Sequence, residues 1–103
     1  MADLPVNRPI ARTPTHPGEL MREILDEHIQ LPVAQAAGRM KIRSQTLIAV
    51  LKGVEPVTAD IALRFSRLTG AAPELYLQMQ AQYDLWTARE QLRDTLAQIE
   101  PAT

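Results

Sequence analysis

A chain of 103 residues has room for a single domain built around one hydrophobic core. It contains no cysteine, which excludes disulfides, thiolate metal sites and a cysteine nucleophile. No apolar run approaches the roughly 20 residues of a membrane span, so we expect a cytoplasmic protein with no membrane partner. The net charge of −1 by itself argues against a nucleic-acid-binding protein. Residues 1–15 contain several prolines and are predicted to form a flexible tail.

Capping and stop residues predict five helices and no strands. The first helix opens at His16, with Pro17 at the first helical position, where a missing N–H costs nothing. The second covers about residues 32–40 and is rich in small side chains, which allow a neighbouring helix to approach closely. After a turn at residues 41–43, the third covers about residues 44–52 and stops at Gly53.

The last two helices are longer. The fourth begins after Thr58, a good N-cap, and stops at Gly70. The fifth begins at Pro73 and is predicted to continue to about residue 100. We therefore expect an all-α fold of five helices with a long C-terminal helix. Residues 16–90 would form the domain, and residues 91–103 an extension of the last helix that could serve as an interaction segment.

Basic residues are concentrated in one part of the chain. Residues 28–54 contain no acidic residue and four basic ones, namely Arg39, Lys41, Arg43 and Lys52. A local basic face of this kind is what contacts with DNA phosphates need, although an ordinary solvated face explains the charges equally well.

The second and third helices, joined by a three-residue turn, form a helix-turn-helix. In this motif the first turn of the second helix reaches base edges in the major groove, and here that turn contains Ser44, Gln45 and Thr46. Gln45 can bond adenine with both amide atoms, and the methyl group of Thr46 can meet a thymine methyl. These residues are predicted to read bases, whereas the four basic residues are predicted to contact phosphates and fix the register.

Several motifs in one order resemble the HigA-type antitoxins, which belong to the XRE or lambda-repressor-like helix-turn-helix class. They are His16-Pro17-Gly18-Glu19, then Thr58-Ala59-Asp60 with Ala62-Leu63-Arg64, then Leu77-Gln78-Met79-Gln80 followed by Tyr83-Asp84-Leu85-Trp86. The resemblance covers about residues 16–89. It implies a five-helix lambda-repressor-like domain and a homodimer. It also implies neutralisation of a HigB-type toxin that cuts mRNA, and repression of the protein's own operon at its operator DNA.

The sequence departs from the family pattern where DNA would be read. Lys41 stands where the family usually has glycine, and Arg43 stands where a serine usually caps the recognition helix. Pro32 and Val33 replace serine and glutamine at the start of the second helix. Ile48 and Ala49 occupy recognition positions that are more often polar, so either they read thymine methyl groups or this face contacts a protein. The alternatives to an antitoxin are a stand-alone XRE-type transcriptional regulator and a helical protein-binding module that has lost DNA binding.

The fifth helix carries two apolar stripes at helical spacing. Leu75, Met79, Tyr83 and Trp86 lie on one side and are predicted to dock on the helical bundle. A second stripe, on another side, is predicted to be a dimer or toxin surface, unless the helix breaks near Thr87 and its end folds back. The surface residues of this second stripe are Leu85, Leu92, Leu96 and Ile99.

An enzyme is not predicted. His16 is better explained as a helix cap, and His28 lies near a helix C-terminus, where a partly positive ring is favourable. The sequence contains no His-x-x-x-His motif, no glycine-rich phosphate loop and no nucleophile motif. We therefore predict no catalytic residues, no metal site and no cofactor.

Overall fold

The computed structural model describes residues 13–103, and this part of the chain contains helices and no strands. The predicted tail therefore lies mostly outside the described residues. The helices are α1 (Pro17–Glu23), continued by a π-helical segment (Ile24–Ile29), α2 (Val33–Met40), α3 (Ser44–Leu51), α4 (Ala59–Thr69), α5 (Pro73–Gln91) and α6 (Arg93–Ala97). The prediction of an all-α fold with a long C-terminal helix is confirmed.

Side chains and left-handed residues set the helix ends, mostly as predicted. The Nδ1 atom of His16 accepts a hydrogen bond of 2.9 Å from the backbone N–H of Gly18, which caps α1. Thr58 Oγ1 accepts from the N–H of Ile61 at 3.3 Å and caps α4, which ends where Gly70 turns left-handed at a φ of 86°.

The π-helical geometry at the end of the first helix was not predicted. From Ile24 the helix widens to π-helical geometry, and it ends at Gln30, which adopts the left-handed conformation with a φ of 57°. The N–H of Leu31 donates to the carbonyl of Leu25 at 2.9 Å and closes this end. The second helix also begins one residue later than expected, because Pro32 is its N-cap.

One core joins α1 to α5. Close approach between helices is possible because α2 contributes the small residues Ala36 and Ala37, and because Gly18 lies directly against the backbone at Val50. The rings of Phe65 and Tyr76 pack edge to face with centroids 5.5 Å apart. The buried apolar side chains are Met21, Leu25, Ala36, Ala37, Met40, Leu47, Val50, Leu51, Val57, Ile61, Ala62, Phe65 and Tyr76.

Helix α5 docks by a face rotated from the predicted one, although the other three residues of the predicted stripe are half-buried. Tyr76 and Gln80 are buried, whereas Leu75, placed by the sequence in the docking stripe, is 44% exposed. Gln80 Oε1 accepts from the N–H of Val57 at 2.7 Å, and its Nε2 donates to Asp84 Oδ1 at 2.9 Å. The apolar-stripe prediction was wrong for Leu75, because the docked face is centred on Tyr76 and on a buried glutamine that is hydrogen-bonded through both amide atoms.

The C-terminal helix is not continuous to residue 100. It breaks at Leu92, which has a φ of −101° and a ψ of 10° and separates α5 from the short α6. The N–H of Leu96 still donates to the carbonyl of Leu92 at 2.8 Å, so a helical turn spans the break. Within residues 13–103 no helix combines the length and the apolar character that crossing a membrane requires.

Candidate nucleic-acid interface

Helices α2 and α3 form the predicted helix-turn-helix. The turn between them is Lys41–Arg43, and Ile42 in its middle packs against the core. Leu47, Val50 and Leu51 hold the inner side of α3 in the core, so its other side is left for solvent.

The outer side of α3 presents most of the residues predicted to read bases. Gln45 and Thr46 are exposed, and Ile48 is 40% exposed, whereas Ser44 and Ala49 are half-buried. Because residues three and four apart share one face of a helix, Gln45, Ile48 and Ala49 lie together. One amide and two apolar side chains therefore lie together on the face of α3 that would enter the major groove of DNA.

The basic residues of this region remain exposed around that surface. Arg39, Lys41, Arg43 and Lys52 all have exposed side chains. None of the four forms an ion pair with a carboxylate of residues 13–103. Their charges are therefore not neutralised by the described part of the protein.

Comparison with known proteins identifies the family, although no family model matches the chain. An HTH-type transcriptional regulator of Haemophilus influenzae is 25% identical, over 90% of this chain and 89% of its own length. An addiction module antidote protein of the HigA family from Coxiella burnetii is 31% identical, with a TM-score of 0.79, over 87% of this chain and 99% of that one. This chain belongs to the HigA family of antitoxins. The Pseudomonas aeruginosa antitoxin HigA, solved with the higBA promoter, is 28% identical with the same TM-score and the same coverage. Antitoxins and helix-turn-helix regulators are not enzymes, in agreement with the sequence prediction.

The departures from the HigA pattern have visible structural consequences. Lys41 adopts the left-handed conformation, with a φ of 64°, which a glycine would adopt without strain. Arg43 is the N-cap of α3, and no side chain caps the first N–H groups of this helix. Those donors remain available to an anion at the helix N-terminus.

Lys52 differs from the other three cations in its surroundings. It lies at the far end of α3 and, with Leu51, lines an open cleft against α1 and the π-helical segment. That side of the cleft carries four carboxylates and one cation, Arg22, and the excess of negative charge weakens the attraction between Lys52 and a phosphate. The role of Lys52 as a phosphate contact stays a prediction. The carboxylates belong to Glu19, Glu23, Asp26 and Glu27.

Sequence reasoning missed Arg64 on α4. Its Nη1 atom donates to the carbonyl of Met40 at 2.8 Å and to the carbonyl of Lys41 at 3.2 Å, at the end of α2. These contacts join residues more than 20 positions apart, so no local pattern could have indicated them. The only signal was the Arg64 position inside the motif that resembles the HigA family.

The two histidines do not form a catalytic site. His16 is buried as the cap of α1, and its ring contacts the ring of Tyr83 edge-on at 5.0 Å. Burial lowers the pKa of His16, and its neutral form is the one that can accept the Gly18 hydrogen bond. His28 is largely exposed and lies 4.0 Å from Glu23. Among residues 13–103, no group of His, Asp and Glu side chains could hold a metal ion.

A second exposed surface lies on the C-terminal helices and contains the residues predicted to contact a dimer partner or toxin. We call it the C-terminal apolar strip. Its four side chains are between 44% and 62% exposed, which leaves apolar area in water that a partner could cover. The strip consists of Leu85, Leu92, Leu96 and Ile99.

Proposed function

We propose that this antitoxin binds the operator of its own operon as a homodimer and represses transcription. The observation that carries the proposal is the exposed first turn of α3. There Gln45 and Thr46 lie beside the cations Arg43 and Lys41, which form no ion pair with a carboxylate of residues 13–103. The major groove of B-DNA, about 12 Å wide, admits one such helix. The Pseudomonas aeruginosa relative, solved with the higBA promoter, supports the same mode of binding.

Each residue has a distinct role in this proposal. Gln45 bonds an adenine with both amide atoms, while Ser44 and Thr46 contact bases or phosphates near the uncapped N-terminus of α3. Ile48 and Ala49 meet thymine methyl groups. Arg39, Lys41 and Arg43 neutralise phosphates, and Lys52, which lies near the carboxylates of the first helix, makes a weaker contact. Two-fold symmetry places two reading helices about 34 Å apart on successive major grooves.

Fluorescence anisotropy tests the DNA proposal. The purified protein is titrated onto labelled duplex from upstream of its own gene and onto a scrambled duplex, across a salt series. If Arg39, Lys41 and Arg43 of both protomers each neutralise one phosphate, the slope of log K against log salt is roughly −5. Equal and weak binding to both duplexes would refute sequence-specific repression and favour a module that has lost DNA binding.

A single substitution tests the reading residue. Gln45→Ala should weaken binding to the upstream duplex by about 1–3 kcal/mol and leave binding to the scrambled duplex almost unchanged. Gln91→Ala is the matched control, because it makes the same chemical change at an exposed glutamine in the last turn of α5. Equal affinities of the two variants for the upstream duplex would show that Gln45 does not read bases.

We further propose that the antitoxin binds and neutralises a HigB-type toxin. Family membership supports this role, and the C-terminal apolar strip offers a surface for either the toxin or a second protomer. Co-expression with the toxin encoded beside it should restore growth, and the two proteins should purify together. Growth arrest that persists despite folded antitoxin would contradict neutralisation and favour a stand-alone regulator.

Charged substitutions separate the two uses of the strip. Leu92→Asp and Leu96→Asp place a carboxylate in the exposed strip without touching the core. If the strip is the dimer interface, light scattering shows monomers. If it is the toxin surface, the dimer persists and toxin binding is lost. Unchanged mass together with unchanged toxin binding would show that the strip is neither surface.

A further inference from the structure

The end of α2 contains a conformation that its own sequence does not favour. Lys41 has a φ of 64° and a ψ of 40°, a region that residues with a Cβ rarely occupy unless the surroundings hold them there. Two backbone N–H groups are satisfied locally, Lys41 N–H by Gly38 and Ile42 N–H by Ala37, at 3.2 and 3.0 Å. The last carbonyls of a helix have no partner inside it and need an external donor.

Arg64 supplies that donor from another helix. Its Nη1 atom bonds the carbonyl of Met40 at 2.8 Å and the carbonyl of Lys41 at 3.2 Å. Its Nε atom donates to Asp60 Oδ1, one turn earlier on α4, at 2.5 Å. The planar guanidinium is therefore held on one edge by a carboxylate and presents its other edge to the turn.

We propose that Arg64 is a positioning residue for the DNA-reading helix. By holding the carbonyls of Met40 and Lys41, it fixes the left-handed turn that sets the direction in which α3 leaves α2. Arg43 and Gln45 follow this turn within four residues, so their placement depends on it. The effect on DNA binding rests on the proposed function, whereas the contact between Arg64 and the turn does not depend on that proposal.

This role is separable from the stability of the fold. Leu47, Val50 and Leu51 anchor α3 in the core independently of the turn. Loss of the guanidinium should therefore leave the helices in place and loosen residues 41–43. Lysine should not substitute, because a single ammonium cannot make the same set of bonds to Asp60 and to both carbonyls.

The chain provides a matched control in Arg67. It lies one turn further along α4 and lines the same shallow basic pocket with Arg64, Lys41 and Leu63. Its side chain is exposed and makes no hydrogen bond to the turn among residues 13–103. Arg67→Met and Arg64→Met therefore remove the same charge from the same surface, and only the second removes the turn contacts.

The first measurement is amide hydrogen exchange on the free protein, followed by NMR. Arg64→Met should speed exchange at the Ile42 N–H by about tenfold, since the lost bonds are charge-assisted. Exchange at core amides such as that of Leu51 should not change, and Arg67→Met should match the wild type everywhere. If Arg64→Met unfolds the protein, Arg64→Lys, which keeps the charge, replaces it with the same expectation.

The second measurement is affinity for the upstream and scrambled duplexes. Arg64→Met should weaken binding to the upstream duplex about tenfold more than Arg67→Met does, with equal effects on scrambled DNA. Equal behaviour of the two variants in both measurements would overturn the inference. If the wild-type protein does not prefer the upstream duplex, the DNA proposal fails, and the exchange rates still decide whether Arg64 fixes the turn.

Discussion

Gly18 is the position where a single added methyl group should be most informative. Here the start of α1 lies against the end of α3. A Cβ at residue 18 would lie 2.0 Å from the carbonyl oxygen of Val50 and 3.0 Å from its carbonyl carbon. Ordinary contact between carbon and a carbonyl oxygen is about 3.3–3.6 Å. The overlap therefore exceeds 1 Å by this estimate, and both opposing atoms are backbone, which cannot rotate away.

We expect Gly18→Ala to destabilise the protein by about 2 kcal/mol. Overpacking a well-packed contact typically costs about 1–3 kcal/mol because helices must move apart, and an overlap of this size with backbone atoms belongs at the upper end of that range. Alanine recovers part of this cost, since it loses less conformational entropy than glycine in a helix, by about 0.5–1 kcal/mol. For a domain of this size the midpoint of thermal unfolding should fall by roughly 10 °C.

The measurement is thermal and urea unfolding followed by far-ultraviolet circular dichroism, at one fixed protein concentration, because the stability of the proposed dimer would depend on concentration. Gly38→Ala is the control. Gly38 is exposed inside α2, and an added Cβ there meets no atom within 4 Å. This variant should be more stable than the wild type by about 0.5–1 kcal/mol. A Gly18→Ala protein as stable as the wild type would refute the close-approach argument.

Other substitutions test the caps and the docking of α5. His16→Asn keeps a capping acceptor but cannot titrate. Because burial lowers the folded-state pKa of His16, the unfolded chain binds the proton more readily, and the wild type should lose stability as the pH falls below about 6.5. The Asn variant should not show this loss of stability between pH 7 and 5. Identical stability profiles for the variant and the wild type would contradict the role of His16. Gln80→Met leaves the buried Val57 N–H without its acceptor and should lower the free energy of unfolding in urea by about 1–3 kcal/mol. The control, Gln78→Met, changes an exposed position and should alter stability by under about 0.5 kcal/mol. Thr58→Ala removes the cap of α4 and should cost about 1 kcal/mol in the same assay, and no loss would show that the cap is dispensable.

Local chemistry made several helix ends predictable. Caps at His16 and Thr58 and the stop at Gly70 lie within a few residues of the ends they determine. The exposure of Gln45 and Thr46 also follows from helical spacing, because Leu47 and its apolar neighbours define the inner side of α3. Whether those residues read DNA stays a prediction.

The docking of α5 could not be predicted in the same way. Apolar spacing favoured a face that includes Leu75, but the buried face is centred on Tyr76 and Gln80. A glutamine can be buried only where its amide finds partners, and the carbonyl oxygen of Gln80 accepts from a backbone N–H 23 residues away. Hydrophobic periodicity contains no information about such a partner.

The helical class, the position of the turn and the basic stretch around it were predictable from the residues alone, and short motifs indicated the family, because each depends on residues close together in the chain. Three features could be known only once the helices were packed: the buried face of α5, the carboxylates near Lys52, and the hydrogen bonds from Arg64 to the carbonyls of Met40 and Lys41. These three features arise from contacts between groups distant in the chain. Their free energies depend on geometry that exists only after the helices have packed.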